Sequence, residues 1–223
     1  MSTTNSQLDN RLKLCADFVR NGAKLADIGT DHAYLPVWLC RNGKCPSAIA
    51  ADINPEPLKR GLSTIIDAGM SDCVKTRLSD GLKEITADEA DDIVIAGMGG
   101  ELIAKILENC DFAKNSSKHF ILQPMTKSEV LIKWLCDNGY EILRQDCCVA
   151  GKKCYTVLLT EYTGKITSRD ETYFYLAELN PTENETHLRF VKSHIERLSK
   201  QANGDVHFAV LANKLKEIVN GNN

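Results

Sequence analysis

The sequence predicts an α/β fold: a seven-stranded mixed sheet with helices on both faces, followed by a C-terminal helical hairpin. Three observations lead there. Between Leu25 and Gly139, short apolar runs alternate five times with longer amphipathic stretches, the rhythm of parallel strand–helix units. Two strand-like runs, Tyr140–Val149 and Cys154–Tyr162, then flank Gly151-Lys152-Lys153, a hairpin signal. Beyond Gly164 the strand patterns stop and two helical stripes take over.

The elements follow in order. Residues 7–20 place Leu8, Leu12, Cys15 and Val19 on one stripe of a leading helix, with Arg11, Lys13 and Arg20 off it. Leu25, Ala26 and Ile28 form a buried strand that ends at Gly29, where the backbone must turn sharply or admit a close neighbour. Thr30 and Asp31 suit the N-cap of a helix through Ala33, Leu35 and Val37, with Pro36 in its first turn. Its open N–H groups are expected to face a ligand, as in nucleotide-binding folds. Asn42-Gly43 stops that helix.

Ser47–Asp52 is the second strand, and Asn54-Pro55 opens a helix that runs to Ala68 before Gly69. Cys73–Arg77 is the third strand, followed by a short helix around Leu82–Ile85 and an acidic loop over 88–92. Ile93–Ala96 is the fourth, running into Gly97-Met98-Gly99-Gly100 and a helix over Glu101–Asn109. His119–Leu122 is the fifth, ended by Gln123-Pro124; the helix Lys127–Asn138 turns Leu131, Trp134 and Leu135 inward. In the tail, Leu188, Val191, Ile195 and Leu198 repeat at spacings of 3, 4 and 3, as do Phe208, Leu211, Leu215 and Ile218. Asn203-Gly204 between them predicts an antiparallel hairpin whose stripes satisfy each other. Its eight basic and eight acidic side chains balance. The division expected is 1–164 and 165–223.

Bulk properties limit the function. Of 223 residues, 43% are hydrophobic and 26% charged, and the net charge is −3. Overall basicity therefore advertises no nucleic acid, and local patches must carry any such contact. The nine cysteines lack a C-x-x-C pair and mostly have apolar neighbours, as expected of free thiols in a reducing cytoplasm rather than of disulfides or a zinc site. MSTTNSQLDN carries no leader pattern and no run is long enough to span a membrane. A cytoplasmic monomer without metal or membrane attachment is expected.

The chemistry gathers at strand ends. The first strand delivers Asp27 and Gly29, the second Asp52, the third Asp80-Gly81 and the fourth Gly97-Met98-Gly99-Gly100. Asp52 lies 23 residues past Gly29, a spacing at which an acid accepts hydrogen bonds from ribose hydroxyls. Asp80 can accept from an adenine amine, and the glycines leave room for a flat base. Asp27 and Asp31 repel a pyrophosphate but suit an ammonium or sulfonium, which favours S-adenosylmethionine over a dinucleotide.

The segments DIGTDHAYLP, ADINPEPL, LSDGL, IAGMGG and LQP resemble those of the bacterial tRNA adenine-N1 methyltransferases that modify adenine 22, over about residues 8–162. The resemblance implies a Rossmann-like class I methyltransferase domain, S-adenosylmethionine as donor, tRNA as substrate and a C-terminal coiled-coil hairpin. Carried over, Asp27, Gly29, Asp31 and His32 lie around the donor's methionine end. Asp52, with Ile53 after it, holds the ribose; Asp80 and Gly81 meet the adenine edge; Ala96, Gly97, Met98 and Gly99 flank the sulfonium. Asp31 would stabilise the cationic product, and His32 and Tyr34 would hold the target adenine. Arg11, Lys13, Arg20 and Lys24 are the expected tRNA contacts. A methyltransferase acting on another RNA, a protein or a small molecule shares the donor motifs. A nicotinamide-dependent oxidoreductase would need the missing second and third glycines, and a cofactor-free RNA-binding module would leave the strand-end acids without a use.

Overall fold

A computed structural model describes residues 8–221 of the chain. Gln7, the expected start of the leading helix, and most of the N-terminal segment read for a leader lie outside them. The sheet has the order β3-β2-β1-β4-β5-β7-β6. Its parallel strands are β1 (Leu25–Ile28), β2 (Ala48–Asp52), β3 (Val74–Leu78), β4 (Asp92–Gly99) and β5 (His119–Thr126). β6 (Tyr140–Ala150) and β7 (Lys153–Tyr162) form the hairpin, and β7 inserts antiparallel beside β5. The strand order reverses between β1 and β4, where open α/β sheets form a crevice at their carboxyl edge.

Alternation along the strands divides the core. Leu25, Ala48, Ala50, Val94 and Ile121 face one side, against α1 (Asn10–Phe18), α2 (Tyr34–Arg41) and α3 (Pro55–Asp67). Ala26, Ile28, Ile93, Ile95, Phe120 and Leu122 face the other, against α4 (Gly100–Glu108) and α5 (Ser128–Asp137). Both faces are covered, which explains why the parallel strands read as unbroken apolar runs. The expected short helix at Leu82–Ile85 is a set of turns, with the Ser79 hydroxyl accepting from Glu84 N–H in place of a helical ladder.

From Lys165 the chain straps across α5. Thr167 N–H donates to Cys136 carbonyl, and Tyr173 and Phe174 of α6 (Tyr173–Leu176) pack on the α4–α5 side of the core. α7 (Glu185–Gln201) and α8 (Val206–Val219) then form the expected hairpin, with Val191, Ile195, Leu198, Leu211 and Leu215 buried. The stripes do not satisfy each other alone. α7 buries His187, Phe190 and His194 as well, in a cluster with Cys147 of β6 and Tyr175 of α6. His187 bonds Asp146 at 3.0 Å, and Arg197 pairs with Glu129 of α5 at 2.9 Å. The hairpin is thus docked on the sheet, a geometry that a free-standing two-stranded coiled coil does not require.

Candidate active site

β1 ends at the crevice. Asp27 sits on the α1–α2 side of the sheet between Ala50 and Val94. Its carboxyl is buried, which pushes its pKa up to about 6 against the opposing pull of a Thr30 hydrogen bond and of Arg11. Gly29 has φ +79°, and a Cβ there would lie 2.1 Å from the Met98 Cε. The turn calls for glycine, while the Met98 side chain is a flexible end that an added Cβ would push aside.

The loop after Gly29 differs from expectation. Gly29 and Thr30 N–H groups both donate to Ala51 carbonyl, at 2.8 and 3.0 Å. Thr30 hydroxyl accepts from Ala33 N–H, so it caps the loop rather than α2. Asp31 caps nothing either: its carboxylate pairs with Arg60 of α3 and with His32. The N-cap of α2 is Ala33, fully buried in the left-handed region at φ 54° without a side-chain cap. Such a conformation costs an alanine about 1–2 kcal/mol and marks a loop held by its surroundings. Among the described residues, Asp31 and His32 are the loop residues whose N–H groups carry no protein partner.

His32 and Tyr34 stack with ring centroids 5.0 Å apart and planes 3° from parallel. Tyr34 is 41% exposed, so the pair offers an open aromatic face. At the end of β2, one oxygen of half-buried Asp52 accepts from Asn54 N–H at 2.7 Å. Beside it Ile53 and, at the end of β3, Leu78 are 58% and 56% exposed. Two such apolar side chains bordering one carboxylate suit a ribose carrying a flat base. Asp80 is exposed and paired with Lys83, while Gly81 closes on Ile106 of α4.

β4 runs past its expected end at Ala96 through Gly97, Met98 and Gly99 into α4, with irregular pairing to β5 around Met98. Gly97 (φ +83°) donates its N–H to Gln123 Oε1 at 3.1 Å. Gln123 is the residue missed in the sequence. It is fully buried, and the same Oε1 accepts from Arg11 Nη1 at 2.9 Å while its amide donates to Pro124 carbonyl. Its signal was a polar residue ending the apolar β5 run.

The four proposed tRNA cations are not one surface. Arg11 turns inward to Gln123, and Lys13 is exposed on α1. Arg20 grips Asp92 at the start of β4, and Lys24, just before β1, reaches Asp88 carbonyl. Arg20 and Lys24 therefore lie at the amino edge of the sheet, a strand's length from the crevice.

Comparison with known proteins adds to this geometry. The family described as "Methyltransferase domain" matches residues 8–158. The tRNA (adenine(22)-N(1))-methyltransferase of Bacillus subtilis is 38% identical over 155 residues, which is 70% of this chain and 65% of that relative. The chain therefore spans under two thirds of that relative's length. A Streptococcus pneumoniae protein solved in complex with S-adenosyl-L-methionine superposes with TM-score 0.86 at 29% identity, covering 96% of this chain and 100% of the other. The B. subtilis m1A22 tRNA methyltransferase superposes with TM-score 0.80 at 28% identity, with the same coverage.

Proposed function

Because the chain belongs to the methyltransferase-domain family, we propose that it is a cytoplasmic enzyme that methylates N1 of adenine 22 in tRNA, with S-adenosylmethionine as donor. The observation that carries this is the convergence of Asp27, Gly29, Asp52 and Gly97–Gly99 on one edge of adjacent parallel strands, together with the activity named for the B. subtilis relative.

The donor, when bound, supplies a methyl group on an electrophilic sulfonium. Asp52 accepts hydrogen bonds from its ribose, and Ile53 and Leu78 cover its adenine. Asp27, ionised, faces the positive methionine end, and Gly29 leaves that end room. Adenine N1 has a free lone pair once unpaired, so the protein's task is positioning rather than proton removal. The His32–Tyr34 stack is the platform for the splayed target base, since N1 lies on the pairing edge and cannot be reached in a duplex. The gained positive charge falls in a region already holding Asp27 and Asp31, although Asp31 shares its charge with Arg60.

Labelled methyl transfer to unmodified tRNA followed by nucleoside analysis tests this, with 1-methyladenosine at position 22 expected. Asp52→Ala should weaken donor binding by about 2 kcal/mol, the scale of lost charge-assisted hydrogen bonds. Transfer to another base or to no tRNA refutes the substrate assignment, and unchanged donor affinity in the folded variant refutes the role of Asp52.

A further inference from the structure

Beside the strand edge lies a groove of about 900 Å³, walled by the end of β5, the β6–β7 turn and one face of α7. Six cations line it: Lys127, Lys152, Lys153, Arg189, Lys192 and Arg197. Glu185 and Glu196 are the acids among its lining residues. A chain of net charge −3 therefore concentrates positive charge in one trough. Lys127 and Arg197 are committed to Glu101 and Glu129. Lys152, Lys153 and Lys192 are exposed and make no ion pair among the described residues. Arg189 donates to Lys152 carbonyl at 2.9 Å, tying the hairpin turn to α7 and fixing the groove's width.

The groove also borders the β4 side of the crevice. Pro124 and Thr126 in its wall are the β5 residues that pair with Met98 and Gly99 of β4. Half-buried Tyr155, on β7 next to β5, also lines the groove.

We propose that this groove seats the ribose–phosphate backbone of the RNA next to the methylated base, with Lys152, Lys153 and Lys192 facing phosphates. The proposal rests on the reading of the chain as a tRNA methyltransferase. A polyanion fits because the unpaired ammonium groups are exposed point charges along one trough, suited to phosphates without reading sequence. Adjacency to Met98 and Gly99 lets a strand held there deliver one splayed base to the strand edge.

The test compares the full chain with the triple variant Lys152→Gln/Lys153→Gln/Lys192→Gln. A control of equal charge change, Lys59→Gln/Lys75→Gln/Lys114→Gln, alters exposed lysines elsewhere. Unmodified tRNA binding is measured against salt, with donor affinity and methyl transfer in parallel. The groove variant should lose about two to three units of log–log salt slope, about one per phosphate contact, and bind tRNA about tenfold or more weaker at moderate salt. Its donor affinity should not change, and the control should keep the original slope. An unchanged slope in the groove variant, or an equal loss in the control, overturns the proposal. A parent protein that binds tRNA through these lysines yet methylates none of it overturns the function reading and leaves the groove standing. Active parent protein with an unaffected groove variant overturns the groove alone.

Discussion

Asp27 links donor binding to pH in a way that can be worked from its burial. Its pKa of about 6 means that the folded protein carries this acid mostly neutral at pH 5 and mostly ionised at pH 7. If the ionised form receives the cationic end of S-adenosylmethionine, the competent fraction changes from about a tenth to about nine tenths over that range. Donor affinity should then fall about tenfold between pH 7 and pH 5, or about 1.4 kcal/mol. Asp27→Asn should hold the weak value at every pH, because the amide can still accept from Thr30 but carries no charge. The same substitution should stabilise the protein. A carboxyl whose folded pKa is raised from 3.8 to about 6 costs almost nothing below about pH 3, where both states are protonated. The cost grows between those pKa values and is complete above about pH 7, where it is roughly 3 kcal/mol. Asp27→Asn should therefore raise the melting temperature at pH 7 and leave it nearly unchanged near pH 3. Calorimetric donor titrations from pH 5 to 7 and thermal melts at pH 3 and pH 7 provide the measurements. A flat affinity profile in the parent protein, or one that survives in the Asn variant, refutes the assignment of Asp27 to the donor.

Gly29→Ala places a Cβ 2.1 Å from Met98 Cε at φ +79°. The methionine can swing aside, but the strain of about 1–2 kcal/mol and the filled space should reduce donor affinity by about tenfold in a folded protein, read by titration. Normal affinity would mean that the donor does not approach this turn. Phe190→Ala removes a buried ring that packs 4.7 Å from His194. The cavity should cost about 3–5 kcal/mol in denaturant unfolding, while donor affinity at 25 °C stays intact because the ring is remote from the β1 and β2 ends. A loss below about 1 kcal/mol would show that α7 is not held on the sheet.

What the sequence could and could not show has a physical pattern. The strand ends were legible because a parallel strand buried on both faces must be apolar until its carboxyl edge, so Asp27, Asp52 and Gly97 stand out where the run breaks. Relations across the chain were not. Arg11 looks like part of a solvated helix face, yet α1 lies over the strand edge and aims it at Gln123, 112 residues away. Arg20 and Lys24 are close to Gly29 in sequence but a strand's length from it in space, because β1 crosses the sheet between them. On α7 the apolar stripe was read without its histidines. His194 is buried beside Phe190 and Tyr175, where burial and neighbouring Arg197 push its pKa down to about 4. A histidine kept neutral packs as an aromatic: His194 meets Tyr175 of α6 and Ser128 of α5, while His187 holds Asp146 of β6, and together with Phe190 they form the second face that docks the hairpin. Net charge failed for a related reason. The tail's balanced total says nothing about Arg189, Lys192 and Arg197 sharing one groove with the lysines of the β6–β7 turn. A sum discards placement, and placement is what a phosphate backbone senses over the short range that salt leaves unscreened.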